Sequence, residues 1–359
     1  MKKIGIMTTG GDCSGLNAAI MRLVAGGMKR GHQMFGIVDG TDGLTSTPPG
    51  IIPLTAGSLP AEDSRIAGSF LRNGNANTKN FETAAKTGKQ KEFRGQIKKS
   101  LEKMGLDALV IIGGNGSLSL THTHREIYGD VQLVCIPKTI DMDIPLTDRT
   151  LGFDTAMQQL AAYCDQLMLT ARSHHRWFVV QAMGRDTGHL SLHAGVACGA
   201  DAILIPEIKF KAESLAKHLK KSPRDYGIII AAEGIRLRGH SGAAADMIAR
   251  ELKKRGFAVR AAFPEHIQRA GDTTAADRIL ASRFSEAALD AVDNNETYVM
   301  TSLLDGAVKT VPLAEMFAAG ELTEDAKIPD MMVSNSFVPP DHPLLSAAVS
   351  QGAYVGEIK

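Results

Sequence analysis

The sequence is short of cysteine, of net charge and of long apolar runs, and each shortage excludes a class of protein. Its four cysteines, Cys13, Cys135, Cys164 and Cys198, are scattered over 359 residues with no Cys-x-x-Cys pair. That spacing excludes a disulfide framework and a zinc knuckle, and fits a reducing compartment. Lys and Arg number 40 against 39 Asp and Glu, for a net charge of +1. No global field therefore draws the chain to nucleic acid or to an anionic membrane, and neither is expected as a partner. No apolar run approaches the roughly 20 residues needed to span a bilayer. The opening MKKIGIMTTGGDC meets Gly and Asp too early for the apolar core of a secretory signal, so a cytoplasmic protein is expected. There is no Walker A motif, no GxGxxG and no repeat at solenoid periods.

What is present is an alternation of short apolar runs with helical patterns, long enough for two domains or one large one. KIGIMT (3–8) reads as a buried strand, TGGDCSG (9–15) as a turn and 16–30 as a helix. Leu16, Ala19, Ile20, Leu23 and Val24 form that helix's apolar face, with Ser14 as its N-cap. MFGIVDG (34–40) is a second strand. DALVIIGGNGS (107–117) then repeats the strand, glycine turn and helix. Such units present backbone N–H groups and a helix N-terminus to phosphate. A third strand, VQLVCI (131–136), is predicted to stop at Pro137, just before Lys138, Thr139, Asp141 and Asp143. In a parallel sheet, chemistry sits beyond the carboxyl ends of strands. In an extended segment Asp141 and Asp143 point to the same side. One can take a proton while the other holds a hydroxyl or a metal-bound water. Alone, an Asp-x-Asp pair is no more than a turn with solvated carboxylates. Beside two glycine turns it implies phosphate on one side and an acceptor on the other.

The long amphipathic pattern at 152–172 leads into a second α/β unit. Its segments are WFVVQAMGR (177–185), a helix near 190–198, AILIPE, a helix at 212–220, YGIIIAAEG (226–234) and AVRAAFPEHIQR (258–269). A helix over 274–292, a hairpin around Asp305 and Gly306, and an irregular tail containing PPDHP follow. His189 and His193 have the i, i+4 spacing of a metal pair but lack the Glu of HExxH, which reads as helix packing or surface. His122 and His124, two apart, read as surface. The lysine-rich stretch at 86–99 reads as a solvated helix face. Arg176, Arg185, Arg260 and Arg269 each stand at or near the end of an apolar strand, with His266 close by. Guanidinium forks match phosphate oxygens, so these residues imply a phosphorylated acceptor.

From about Lys3 to Val311 the motifs GGDCSGLNAAI, GGNGS, PKTIDMD, AMGRDTGHL, AAEG and EHIQRAGDTTAADRILASR occur in this order. Together they resemble the phosphofructokinase superfamily. The resemblance implies two doubly wound, Rossmann-like α/β domains with the active site in the cleft between them. The donor domain would comprise 1–150 plus about 260–316, and the sugar-phosphate domain 151–259 plus about 317–359. It implies transfer of a phosphoryl group from ATP to the 1-hydroxyl of fructose 6-phosphate, with Mg²⁺, by a homodimer or homotetramer. Carried over by motif, Asp141 takes the hydroxyl proton, with Thr139 and Asp143 assisting at the transferring phosphate and its metal shell and Ile140 lining the same loop. Arg185 stabilises charge, Met183 and Gly184 line the sugar and Glu233 holds its hydroxyls. His266, Ile267, Gln268 and Arg269, the HIQR run, lie at the 6-phosphate. Arg176 and Arg260 reach in from a neighbouring subunit. Gly11, Gly114, Asn115, Gly116, Ser117, Lys138 and Arg72 face the donor, with Asn115 at the metal.

The departures from the family pattern are specific. Asn115 stands where the family has a metal-binding Asp, and an uncharged amide oxygen predicts weaker Mg²⁺ binding. Met142 replaces Asn between the two aspartates. Asn75 stands where an arginine often spans donor and acceptor, with Arg72 and Lys79 as substitutes. Gly116 leaves room for a nucleotide α-phosphate, whereas Lys138 is shared with pyrophosphate users. ATP is the expected donor and pyrophosphate the alternative. Two further readings are a low-activity regulatory subunit and a kinase of another phosphorylated sugar.

Overall fold

Strand β1 (Lys3–Thr8) is buried over its last five residues, as a central strand of a parallel sheet must be. It pairs in parallel with β2 (Gln33–Ile37) on one side and β4 (Ala108–Gly113) on the other. This computed structural model describes residues 1–74, 84, 86–237, 241–324, 338 and 341–357. Over those residues the chain divides into two units.

The first unit comprises Met1–Thr139, Ile144–Asp154 and Gly271–Glu321. Among the described residues its sheet has seven strands in the order β11-β10-β5-β4-β1-β2-β3. Strands β5 (Gln132–Pro137), β4, β1 and β2 are parallel, and β10 (Val299–Leu304) joins β5 in parallel. Strands β3 (Ile51–Leu54) and β11 (Ala307–Pro312) are antiparallel edges. Met7, Ile37, Ile97, Leu109, Leu133 and Met300 belong to one apolar core. Burial of near-continuous apolar runs is what holds such a sheet together, at about 25 cal/mol for each Å² removed from water. Helix α1 (Leu16–Lys29) packs on α9 (Ala275–Asp293). Between them in sequence come α2 (Gly40–Thr45), α3 (Gln90–Met104), α4 (Asn115–Thr123), α5 (Phe153–Ser173), α6 (His189–Ala197), α7 (Ala212–Lys221) and α8 (Ala244–Lys254).

The second unit comprises Ile140–Asp143, Thr155–Ala270 and Leu322–Lys359. Among the described residues its four strands are all parallel, in the order β7 (Ala202–Leu204), β8 (Gly227–Ala232), β6 (Trp177–Ala182), β9 (Val259–Ala262). Trp177, Val179, Leu215, Ile229, Met247 and Leu252 lie in its core. No helix among the described residues is long and apolar enough to cross a membrane.

Several expectations are corrected. The return of the chain to the first unit falls after Ala270 rather than near 260, because β9 pairs with β6 and carries HIQR with it. Ser14 does not cap α1. Gly15 does so at φ +91°, and the Ser14 hydroxyl reaches the Gly271 carbonyl at 3.4 Å. Strand β5, by contrast, ends at Pro137 as expected. Just beyond it the Pro137 carbonyl accepts from Leu151 N, and Lys138 N donates to Gly113 O at 2.9 Å. The tail is not irregular throughout. Helix α11 (Pro343–Ser350), which follows α10 (Leu313–Glu324), starts where His342 Nδ1 accepts from Leu344 N and Pro343 takes the first turn. His122 and His124 are half-buried, one against the Phe317 ring and the other beside Arg94. His189 and His193 are buried in helix packing, with ring centroids 6.2 and 5.6 Å from that of His342. Among the described residues no group of three or more His, Cys, Asp or Glu is placed to hold a metal.

Candidate active site

In the first sheet the chain leaves β1 toward β2 on one side and β4 toward β5 on the other, so the crevice at the carboxyl ends of β1 and β4 is the topological switch point. Both glycine turns lie there. Gly10 has φ +77°, and a Cβ on it would sit 3.4 Å from Ser117 Oγ and 3.6 Å from Lys138 Nζ. The turn after β1, the start of α4 and the residue after β5 therefore converge. Gly113 admits no side chain, because a Cβ would lie 2.8 Å from Ser117 Cβ and 2.9 Å from Thr9 Oγ1. Gly114 precedes α4 in an extended conformation, and Ser117 N and Leu118 N turn back to its carbonyl at 2.9 and 3.0 Å. The first N–H groups of a helix have no partner within it, and this is the general feature by which a helix start favours an anion.

Lys138 is buried and its ammonium donates to the Gly11 carbonyl. Asn115 is the first residue of α4, and its Oδ1 accepts from Ser119 Oγ at 3.4 Å. Gly116 is exposed. Arg72 has φ +58°, and its carbonyl takes the Thr8 hydroxyl at 2.8 Å, which pins it at the end of β1. Its side chain is 74% exposed and lies 3.9 Å from Asp39, so the guanidinium is available to a ligand. Asn75 and Lys79 lie outside the described residues. Thr139 is held through its backbone, with N donating to Leu151 O at 3.2 Å and O accepting from Thr150 Oγ1 at 2.7 Å.

In the second sheet three neighbouring strands, β8, β6 and β9, end in AAEG, MGR and HIQR. The MGR turn is unusual backbone, with Gly184 at φ +135° and Arg185 at φ +53°. Glu233 Oε1 accepts from Gly184 N at 3.2 Å and from Arg185 N at 2.8 Å. Gln268, fully buried, accepts from Met183 N at 3.0 Å through Oε1 and donates to Glu265 O at 3.1 Å. Glu265, at φ +44°, opens the 3-10 turn Glu265–Arg269, which leaves His266 and Ile267 exposed and Arg269 half-buried.

Ile140 is buried, and Asp141 and Asp143 are half-buried on the short segment that clusters with this unit. Burial lifts the Asp141 carboxyl to about 6, the Asp143 carboxylate pushes it the same way, and Arg269 and Arg185 pull it back. Glu233 adds a weaker upward push. Asp141, Asp143, Arg185, Glu233 and Arg269 thus share one electrostatic environment, as a general base poised near neutrality requires.

Two arginines are not brought to this place. Arg176 lies at the amino end of β6, the opposite end from Arg185. Arg260 is exposed on β9, paired with Phe178. Sequence reading also missed Thr187 and Thr150, whose hydroxyls hold the Asp141 and Thr139 carbonyls. The only signal for Thr187 was a hydroxyl two residues beyond a turn that carries the motif.

Residues 3–292 match the Phosphofructokinase family. The ATP-dependent 6-phosphofructokinase of Lactobacillus delbrueckii subsp. bulgaricus is 37% identical over 327 residues, covering 88% of this chain and 94% of that protein. The ATP-dependent 6-phosphofructokinase 1 of Nostoc sp. is 33% identical, covering 99% of each. Among solved structures, phosphofructokinase from Saccharomyces cerevisiae superposes with a TM-score of 0.78 at 26% identity, and this chain spans 48% of that longer chain. The chain belongs to the phosphofructokinase family.

Proposed function

We propose that the chain is an ATP-dependent 6-phosphofructokinase of the glycolytic cytoplasm, which transfers the terminal phosphoryl group of ATP to the 1-hydroxyl of fructose 6-phosphate. The observation that carries this reading is the placing of Asp141 beside Asp143, Arg185, Arg269 and Glu233, with its carboxyl raised to about 6. Phosphoryl transfer asks a protein for position and charge neutralisation more than for covalent chemistry. Asp141, ionised at neutral pH, takes the proton of the acceptor hydroxyl. Arg185 offsets negative charge as the transferring group moves. Glu233 and the Met183–Gly184 backbone orient the sugar, and His266 and Arg269 hold its 6-phosphate. The amide-lined turns after β1 and β4, with Ser117, Lys138 and Arg72, hold the donor phosphates. On this division the first unit binds donor and the second binds sugar phosphate.

The donor set fits Mg²⁺ that arrives with phosphate rather than one caged by protein. Asn115 offers a neutral oxygen at the crevice, and no cluster of three metal-binding side chains exists among the described residues. Bound there, Mg²⁺ would neutralise phosphate charge. Arg176 and Arg260, remote from Arg185 along the strands of their own chain, serve the site of a neighbouring subunit in a homodimer or homotetramer.

The names of the relatives support ATP as donor. The buried Lys138 ammonium at the Gly11 turn is the feature that a pyrophosphate donor would also use. Coupled assays of fructose 6-phosphate with ATP, and separately with pyrophosphate, decide. The expected result is a kcat/KM for ATP at least about tenfold above that for pyrophosphate. The reverse ratio overturns the donor, and no turnover with either overturns the reading.

A further inference from the structure

Glu233, Gln268 and Thr187 tie down the MGR turn, and the Thr187 hydroxyl also reaches Asp141. Glu233 and Gln268 connect the turn to the ends of β8 and β9. Thr187 closes the turn on itself, with Thr187 N on Gly184 O at 2.9 Å and Oγ1 3.1 Å from the same carbonyl. The same hydroxyl lies 2.7 Å from the Asp141 carbonyl, the shorter of its two contacts.

Residues 140–143 are a four-residue excursion. Thr139 before them and Ile144 after them cluster with the other unit. The excursion contains Met142 at φ +55°, a left-handed conformation that a long side chain adopts only when its surroundings impose it. Thr187 is 2% exposed, so its hydroxyl is shielded from bulk solvent at the Asp141 carbonyl. Arg185, also left-handed, leaves the turn two residues before Thr187. We infer that Thr187 is a positioning residue, whose single hydroxyl sets the backbone of Asp141 against the turn that presents Arg185. This rests on the phosphofructokinase reading given above. Thr187 touches no reacting atom; it fixes the distance between the group that removes the proton and the group that offsets the charge.

The test uses full-length Thr187→Val, which keeps shape and loses the hydroxyl, and Thr187→Ser, which keeps the hydroxyl and loses a methyl. A displacement of about 1 Å between reacting groups lowers turnover by up to about 10²-fold. T187V is expected to lower kcat by about 10- to 100-fold, with the KM for fructose 6-phosphate within about threefold of wild type. T187S is expected to retain at least about half the wild-type kcat. A role in stability alone would lower the melting temperature of both variants and leave kcat per folded molecule unchanged. If T187V does not fold, T187A is measured against the same thresholds. Equal kcat values for the valine (or alanine) and serine variants, or a hydroxyl-free variant within threefold of an active wild type, overturn the inference alone. A wild type without turnover overturns the functional reading and the inference with it.

Discussion

The Glu233 carboxylate accepts the backbone N–H of Arg185 at 2.8 Å, so a side chain at the end of β8 fixes the turn at the end of β6. The same oxygen takes Gly184 N at 3.2 Å. Hydrogen bonds to a charged group contribute about 1.5–3 kcal/mol each. Glu233→Ala is therefore expected to lower kcat/KM for fructose 6-phosphate by at least about 10²-fold. Glu233→Gln keeps an acceptor oxygen and should lose roughly tenfold. Steady-state kinetics of the two variants check this; indistinguishable values would show that the backbone tie is irrelevant.

The pH profile follows from the Asp141 carboxyl, raised from 3.8 to about 6. The base works only when ionised, so kcat should fall about tenfold per pH unit below about 6 and level off above it. The same shift has the opposite sign for stability. Between the ordinary and the raised value the folded chain holds a proton that the unfolded chain has released, so this group's contribution to stability falls as pH rises through that window. Asp141→Asn should accordingly raise the melting temperature at pH 7 and have less effect near pH 4. Thermal melts at the two pH values measure the difference.

Much of the fold was legible because buried parallel strands are near-continuous apolar runs and end at glycine turns. KIGIMT, ALVIIG and GIIIAA are strands in the structure and are buried almost throughout. The glycine turns were legible as turns because strand, glycine and helix follow one another locally. What was missed is non-local. The β9–β6 pairing moved HIQR into the second unit, and no local pattern carries that information. Ser14 had the chemistry of a cap but turned to Gly271, far along the chain. Thr187 carries no periodic or compositional signal, and its role appears only when Asp141 is seen 2.7 Å away. Arg176 does stand at a strand end, but at the amino end of β6, opposite the end that leads to Arg185.

Donor choice is testable at two positions of the first unit. Gly116→Asp adds a carboxylate at the start of α4, where it should repel a nucleotide α-phosphate and lower kcat/KM for ATP far more than for pyrophosphate. Lys138→Gly removes the ammonium bound to Gly11 and should do the reverse. Assays of both variants with both donors give the four numbers required. Equal losses on the two donors would remove either position from the specificity argument.

Shared sites predict complementation. Arg260→Ala chains and Asp141→Asn chains should each be nearly inactive. Hybrids formed by mixing and refolding should recover part of the activity, because some interfaces join an intact Arg260 to an intact Asp141. Activity of verified hybrids is the measurement, and none above the parents would place Arg260 outside a neighbour's site.

The most direct test of the account is the turnover of Asp141→Asn with ATP and fructose 6-phosphate, measured beside its affinity for fructose 6-phosphate. Removing a general base lowers kcat by about 10²–10⁴, and the neutral amide should leave sugar-phosphate affinity within a few-fold. A variant that keeps more than a tenth of wild-type kcat, or that loses affinity in proportion to rate, would contradict the assignment of Asp141 as the base.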